Sequence, residues 1–267
     1  YFEHRGRRPI VAVLFTHTHG DHWGGARGVL TAGEDDDVPV IAPHMFMEHT
    51  VSENIIAGPA MRRRATYQFG PLLEIGPRGQ VDIGLGKAIA QIVGPLIRPT
   101  DLIMATGDTR VIDGVEFQFQ MAPNSEAPAE MHFFVPRYRV LNLAENCCHT
   151  FHNLLPFRGA DVRDALLWSK YLGEALQMWG GKAVAMCGQH NWPVWGDRVD
   201  TMIAEQRDLY KFVHDQTLRM INHGLTASEI AESIRLPTSL ENAWHTRGYY
   251  GHVRHNVKAI YQKYIGW

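Results

Sequence analysis

Six consecutive residues in the loop THTHGDHWGG carry His17, His19, Asp21 and His22 in the pattern H-x-H-x-D-H. Neutral imidazole and carboxylate are good ligands for zinc and its first-row neighbours. In extended backbone alternate residues share a face, so His17 and His19 can address one ion. After Gly20 the chain can turn Asp21 and His22 toward a second. Two metal ions are the natural outcome of this spacing. The alternative, a solvated polar turn, does not call for four such side chains directly after an apolar strand.

This motif after a strand resembles the metallo-β-lactamase superfamily, in which three further ligands come from strand ends later in the chain. The resemblance points to Glu126 in PNSEAPAEM, Glu145 in LAENCCHTFHN and His190 in CGQHNWPVWG, each in a loop after a predicted strand. A lone Glu or His in a loop is more often a solvated surface group, so the argument rests on the ordered set. Glu130 competes with Glu126 and reads as a helix-capping or surface acid. Arg158, in FRGADVRD just before a helix start, offers a guanidinium fork suited to an oxyanion. Arg163 in the same run reads as a structural ion-pair member within that helix. His149 and His152 are each suited to donating a proton or to hydrogen-bonding a metal ligand. The regions of Trp192, Trp195 and Tyr67 can line an apolar channel or pack in a core.

The elements around these residues follow from pattern. Residues 9–15 (PIVAVLF) read as a strand buried on both faces, delivering the chain into the histidine loop. A helix is expected over 23–30, a strand over 38–42, and a longer helical stretch from Pro43. The Gly- and Pro-rich run 69–99 predicts a long ordered loop. Residues 110–121 alternate about Asp113-Gly114, the dipeptide that favours a tight hairpin turn. Strands are expected over 131–136, 139–144 and 182–187, with a helix through 179 capped by Asp161. Beyond Pro193 an amphipathic helix spans 197–223, Thr226 and Glu229 form a capping box for another that Pro237 closes, and a last helix covers 250–264. An α/β layered part is therefore followed by an all-helical one, with a boundary near residue 194.

A strand running into H-x-H-x-D-H resembles the metallo-β-lactamase superfamily. Glu rather than His and Asp at the two later loop positions is similar to the alkylsulfatases, as are YQFGPLL, GPRGQVDIGLGK, EAPAEM, RGADVRD and H-x-W-P-x-W-G, so the likeness spans nearly the whole chain. It implies an α/β fold of αββα sandwich type over 1–193, its amino-terminal strands missing because only about sixteen residues precede His17, followed over 194–267 by an all-α dimerisation segment. It further implies two Zn²⁺ per chain: His17, His19 and Glu126 on one, Asp21, His22 and His190 on the other, and Glu145 bridging. The implied reaction is hydrolysis of alkyl sulfates such as dodecyl sulfate by a metal-bound hydroxide. Asp21, Glu145 and Arg158 would be catalytic, Arg158 and Tyr67 would contact substrate, and a homodimer would form through the helical segment. Asn124-Ser125 stands where the family often has Gly-Thr, and the paired cysteines after Glu145 are unusual for it. Because Tyr1 is not a start methionine and relatives carry a further sterol-carrier-like domain, the chain reads as a piece of a longer protein with one incomplete sheet and exposed edges.

Bulk properties fit this reading. The 267 residues are 45% hydrophobic and 20% charged, an ordinary globular balance able to bury a core. A formal net charge of −2 gives no sign of electrostatic capture of nucleic acid. No run is apolar enough for a membrane helix. Cys147, Cys148 and Cys187 lack the spacing of a thiolate zinc site or disulfide framework. The compartment, periplasmic or secreted included, is not legible. Competing functions are another hydrolase of the same fold acting on a lactam, lactone or phosphoester, and an inactive piece or binding module.

Overall fold

The structure is a computed structural model that describes residues 2–266 except 7, 32, 34 and 89–93. Tyr1 and the 89–93 part of the long loop lie outside the described residues. A short helix α1 (Phe2–Arg5) precedes β1 (Val13–Leu14), which pairs in parallel with β2 (Val40–Pro43), itself parallel to β3 (Asp101–Ile103). A second, six-stranded sheet runs in the order β4 (Thr109–Ile112), β5 (Val115–Met121), β6 (Met131–Val135), β7 (Val140–Asn142), β8 (Ala185–Cys187) and β9 (Val194–Trp195). Three strands thus face six, with β1 and β3 at the edges of the smaller sheet.

Strand alternation builds the layers. Ala12 and Leu14 point with Ile41 and Ile103 toward Phe119 and Met131 of the second sheet, forming the core between sheets. Val13, Phe15, Val40 and Ala42 point the other way, onto Trp23 of α2 (Gly20–Trp23) and Phe46 of α3 (Phe46–Val51). The outer face of the second sheet is covered by α5 (Ala165–Trp179) and α6 (Arg198–Asn222), whose Trp168, Trp179, Ile203 and Tyr210 share one core with Phe134 and Leu141. The result is helix, sheet, sheet, helix, as expected from sequence. That last core continues across residue 194 into α7 (Ala227–Ser233) and α9 (Val253–Ile265) through Ile230, Val257 and Ile260, with α8 (Thr238–Glu241) between them.

Several local expectations shift. Asp113 and Gly114 do form the hairpin turn, both at positive φ (48° and 73°). The capping box of Thr226 with Glu229 is present. The helix expected over 23–30 instead starts at Gly20 and stops at Trp23, with a 3-10 turn at Ala26–Gly28. The stretch after Pro43 breaks into α3, a π-helical turn (Ser52–Ile56) and α4 (Gly58–Phe69). α7 ends before Pro237, which instead precedes α8, and His252 caps α9. The N-cap of α5 is Asp164 and not Asp161: its carboxylate accepts from the Leu166 and Leu167 amides at 2.9 and 3.0 Å. Residues 161–164 are held back from the helix because the Arg163 amide bonds to the Leu154 carbonyl and the Asp164 amide to that of Asn124.

Candidate metal centre

All seven predicted ligands come together at one end of the two sheets. The His17 backbone bridges Glu130, and the Met131 amide donates to the Thr16 carbonyl at 2.8 Å, so the histidine loop is stitched to the start of β6. Asp21 and His22 occupy the single turn of α2. Glu126 follows Asn124, whose φ of 61° is a left-handed conformation that asparagine, like glycine, tolerates; this is how Asn124 stands in for a glycine. Glu145 follows Ala144, also left-handed at φ 48°, a strained position for alanine. The Ala144 carbonyl accepts from Gln189, which tethers the loop of His190 to that of Glu145.

The ligand atoms form two groups, His17 with His19, Glu126 and Glu145, and Asp21 with His22 and His190, the atoms of each lying within 4.8 Å of one another. Glu145 Oε2 is the junction, 3.4 Å from His17 Nε2, 3.3 Å from His22 Nε2 and 3.5 Å from His190 Nε2. Glu126 Oε2 lies 3.0 Å from His19 Nδ1 and 3.6 Å from His17 Nε2. His17 Nε2, His19 Nε2 and Glu126 Oε2 are buried without hydrogen-bond partners. Buried polar atoms are almost always paired, so a cluster of orphaned imidazole and carboxylate atoms is what a divalent cation would satisfy. This is a buried His/Glu metal-binding site, and the donor set fits it.

The surrounding charges are distributed unevenly. Burial drives His17 down to about 4. Burial opposes charge on His22 as well, but Asp21 and Glu145 outweigh it and lift that ring to about 10. Glu126 stays well below the usual carboxylate range because Arg163 and His19 overcome its burial. Glu145 is held low against its burial by the hydrogen bond from His152 and by the His17, His190 and His22 imidazoles that surround it.

Sequence reasoning misplaced two residues here. Glu130 is neither a surface acid nor a helix cap: it is fully buried, and its Oε2 accepts from the Ser125 hydroxyl and the Glu126 and Ala127 amides at 3.0 to 3.1 Å while Oε1 accepts from the Glu145 amide at 3.2 Å. One carboxyl group thus fixes both acidic ligand loops. Burial and the nearby Glu126 charge push it well above the ordinary carboxylate range. Arg163 does not pair within a helix; it is buried, with Nη2 at 2.5 Å from Glu126 Oε1 and Nη1 donating to Asn153 Oδ1 at 2.7 Å. The spacing E-x-x-x-E carried a signal for Glu130, but not one that separates a ligand from the group that holds it.

The other candidates divide. His152 donates through Nε2 to Glu145 Oε1 at 2.9 Å, a partner of a ligand. His149 is committed to the Trp192 carbonyl at 2.8 Å. Arg158 lies at the margin of the cluster, Nη1 3.5 Å from Glu53 Oε1, whose other oxygen is 3.6 Å from His19 Nε2. Tyr67 is 77% exposed and packs edge-on against Phe157, away from the ligands. Trp192 and Trp195 are exposed at 60% and 64%, so neither is a core residue. Cys147 and Cys148 are free and buried, and burial raises both thiols.

The profile of the family described as "Metallo-beta-lactamase superfamily" matches residues 1–190, most of the chain. The chain belongs to the metallo-beta-lactamase superfamily. A second profile, "Alkyl sulfatase dimerisation", matches residues 226–267. Among curated relatives of this superfamily member, the alkyl/aryl-sulfatase BDS1 of Saccharomyces cerevisiae is 49% identical over the whole of this chain and 42% of its own length. A linear primary-alkylsulfatase of Pseudomonas sp. is 47% identical over the whole chain and 40% of its own length. The resemblance to alkylsulfatases read from the motifs is borne out, and the chain spans about two fifths of the length of these relatives. The solved structure of the stereoselective inverting sec-alkylsulfatase Pisa1 of Pseudomonas sp. superposes with a TM-score of 0.96 at 45% identity, covering all of this chain and 43% of the other. A metallo-beta-lactamase family protein of Thermus thermophilus shares the fold alone, at a TM-score of 0.52 and 14% identity over 94% of this chain and 74% of its own.

Two outcomes follow for the superfamily site. Glu130→Ala strands three buried amides, each costing about 1–3 kcal/mol, while the Ser125 hydroxyl keeps the Ala122 carbonyl, so chemical denaturation should show a loss of at least about 3 kcal/mol; a loss under about 1 kcal/mol would mean those amides find other partners. In the metal-free protein at neutral pH, His22 carries a proton that ligation must expel. Divalent metal uptake in weak buffer should therefore release protons, and affinity should rise with pH toward about 10; affinity flat from neutral pH upward would contradict the charge on His22.

Proposed function

We propose that the chain is the metal-binding core of an alkylsulfatase that hydrolyses alkyl sulfates, such as dodecyl sulfate, to alcohol and inorganic sulfate with two zinc ions. The observation that carries this reading is the pair of buried glutamates, Glu126 and Glu145, converging on the H-x-H-x-D-H loop in a chain 45–49% identical to proteins named alkylsulfatases. In this reading His17, His19 and Glu126 hold one ion, Asp21, His22 and His190 the other, and Glu145 stands between them. When bound, the ions supply Lewis acidity and lower the pKa of coordinated water toward roughly 7. Asp21, Glu126 and Glu145 offset three of their four positive charges, and Arg163 supports Glu126 against its burial.

The protein's own groups orient the substrate. A sulfate monoester carries one negative charge, and the Arg158 guanidinium, its side chain 18% exposed, can present two N–H donors to the ester oxygens. Beside it lies a cavity of about 320 Å³ lined by residues that include Gln68, Leu155, Phe157, Tyr249, Tyr250 and His255. Its size and largely apolar lining suit an alkyl tail better than the exposed Trp192 and Trp195 do. Gln68 accepts from the Arg158 amide at 2.7 Å, and the Tyr250 ring packs on His152 at 4.8 Å, so the cavity borders both the arginine and the partner of Glu145. Tyr67, against Phe157, fits contact with the tail and not with the sulfate. A homodimer through the carboxy-terminal helices is part of the same proposal, supported by the dimerisation profile. Among the described residues no helix is long and apolar enough to cross a membrane.

Sulfate release from dodecyl sulfate, measured with zinc content on the same sample, tests the reading. Wild type should release sulfate, and Glu145→Ala should lose at least about a hundredfold in rate, as removal of an organising electrostatic group does elsewhere. Faster turnover of a chromogenic lactam, lactone or phosphoester than of alkyl sulfate would overturn the substrate assignment.

A further inference from the structure

The π-helical turn Ser52–Ile56 sits between α3 and α4, directly behind the histidine loop. Such insertions into a helix redirect side chains and recur at functional sites. Here the turn sends two neighbouring side chains into the loop. Asn54 Nδ2 donates to the Thr18 carbonyl at 3.3 Å and to the Thr50 carbonyl at 3.1 Å. Glu53 is 9% exposed; its Oε2 lies 3.6 Å from His19 Nε2, and its Oε1, which has no hydrogen bond, lies 3.5 Å from Arg158 Nη1. His19 turns Nδ1 inward to Glu126 Oε2 at 3.0 Å, so Nε2 is its outward nitrogen, and it too is buried and unpartnered.

We propose that Glu53 is a positioning residue whose single carboxylate holds the outward N–H of His19 and the guanidinium of Arg158, tying the metal centre to the arginine that orients the sulfate. This rests on the two-zinc reading above. A carboxylate behind a ligating imidazole fixes its tautomer and ring angle and strengthens it as a donor. Shared with Arg158, the same group sets the distance between the metal-bound ring and the sulfate-binding fork. If Glu53 served only as a buried counter-charge for Arg158, its removal would leave metal affinity unchanged.

The test uses the full-length protein and zinc alone, competed against a chromophoric chelator, for wild type, Glu53→Gln and Glu53→Leu. Loss of such a supporting group weakens metal binding about 10- to 100-fold. The isosteric Glu53→Gln, which keeps an acceptor for His19 without the charge, should weaken the more strongly affected zinc by about tenfold, and Glu53→Leu by about a hundredfold. KM for dodecyl sulfate should rise in both variants by more than kcat falls. A Glu53→Gln protein with wild-type circular dichroism and wild-type zinc affinity would overturn the role of Glu53. Wild type that binds no zinc would overturn the metal-centre reading and this role with it.

Discussion

Three carboxyl groups, Glu126, Glu130 and Glu145, are each at most 2% exposed and share one small volume. An ion taken out of water costs several kcal/mol even after the protein relaxes, and like charges add to it, so Glu130 is pushed toward its neutral form while Glu126 and Glu145 are held ionised. The rest of the architecture at this end of the sheets answers that constraint. Glu130 is surrounded by amide donors from both ligand loops, Glu126 is paired with Arg163, and Glu145 collects four imidazoles from three separate places in the chain. Remove the compensation and the loops have no reason to fold inward.

The sandwich lowers the entropic cost of that convergence. Strands β1 and β7, and the strand β8 parallel to β7, all release their chains at the same end, so the loops carrying His17, Glu145 and His190 start from fixed positions. Local strain completes the geometry: left-handed backbone at Asn124 and Ala144 turns Glu126 and Glu145 inward. Residues 161–164, held off the α5 helix by bonds to Leu154 and Asn124, bring Arg163 under Glu126. The helices beyond residue 194 take part as well, since Asn256 Oδ1 accepts from the Leu154 amide and its Nδ2 donates to the His152 carbonyl, bracing the segment that positions His152.

Much of this was legible in the sequence, and for a physical reason. The histidine motif is local, so its ligands are adjacent in both sequence and space. The alternation of 110–121 reports burial directly, with Phe117, Phe119 and Met121 packed between the sheets. The apolar run 9–15, expected to be a strand buried on both faces, is strand only at Val13–Leu14 and leaves Val11 44% exposed. The later ligands were placed through the resemblance to the superfamily, whose further ligands stand in loops after strands, because a lone Glu or His in a loop carries little signal by itself. What escaped was set by tertiary context. Glu130 and Arg163 look like ordinary charged residues until the fold buries them, and the π-turn that aims Glu53 has no composition of its own. The start of α5 moved from Asp161 to Asp164 because backbone bonds to distant loops outcompete the first available cap. The exposed Trp192 and Trp195 show the converse: aromatic content alone does not say which side of the surface a ring occupies.

The central claim is that one carboxylate, Glu145, joins two metal positions built from different parts of the chain. Anomalous diffraction at the zinc edge, from crystals of the zinc-loaded protein, tests it most directly. The account predicts two peaks about 3.5–4 Å apart, one among His17, His19 and Glu126 and one among Asp21, His22 and His190, with Glu145 between them. A single peak, or two peaks on the same side of Glu145, would contradict it.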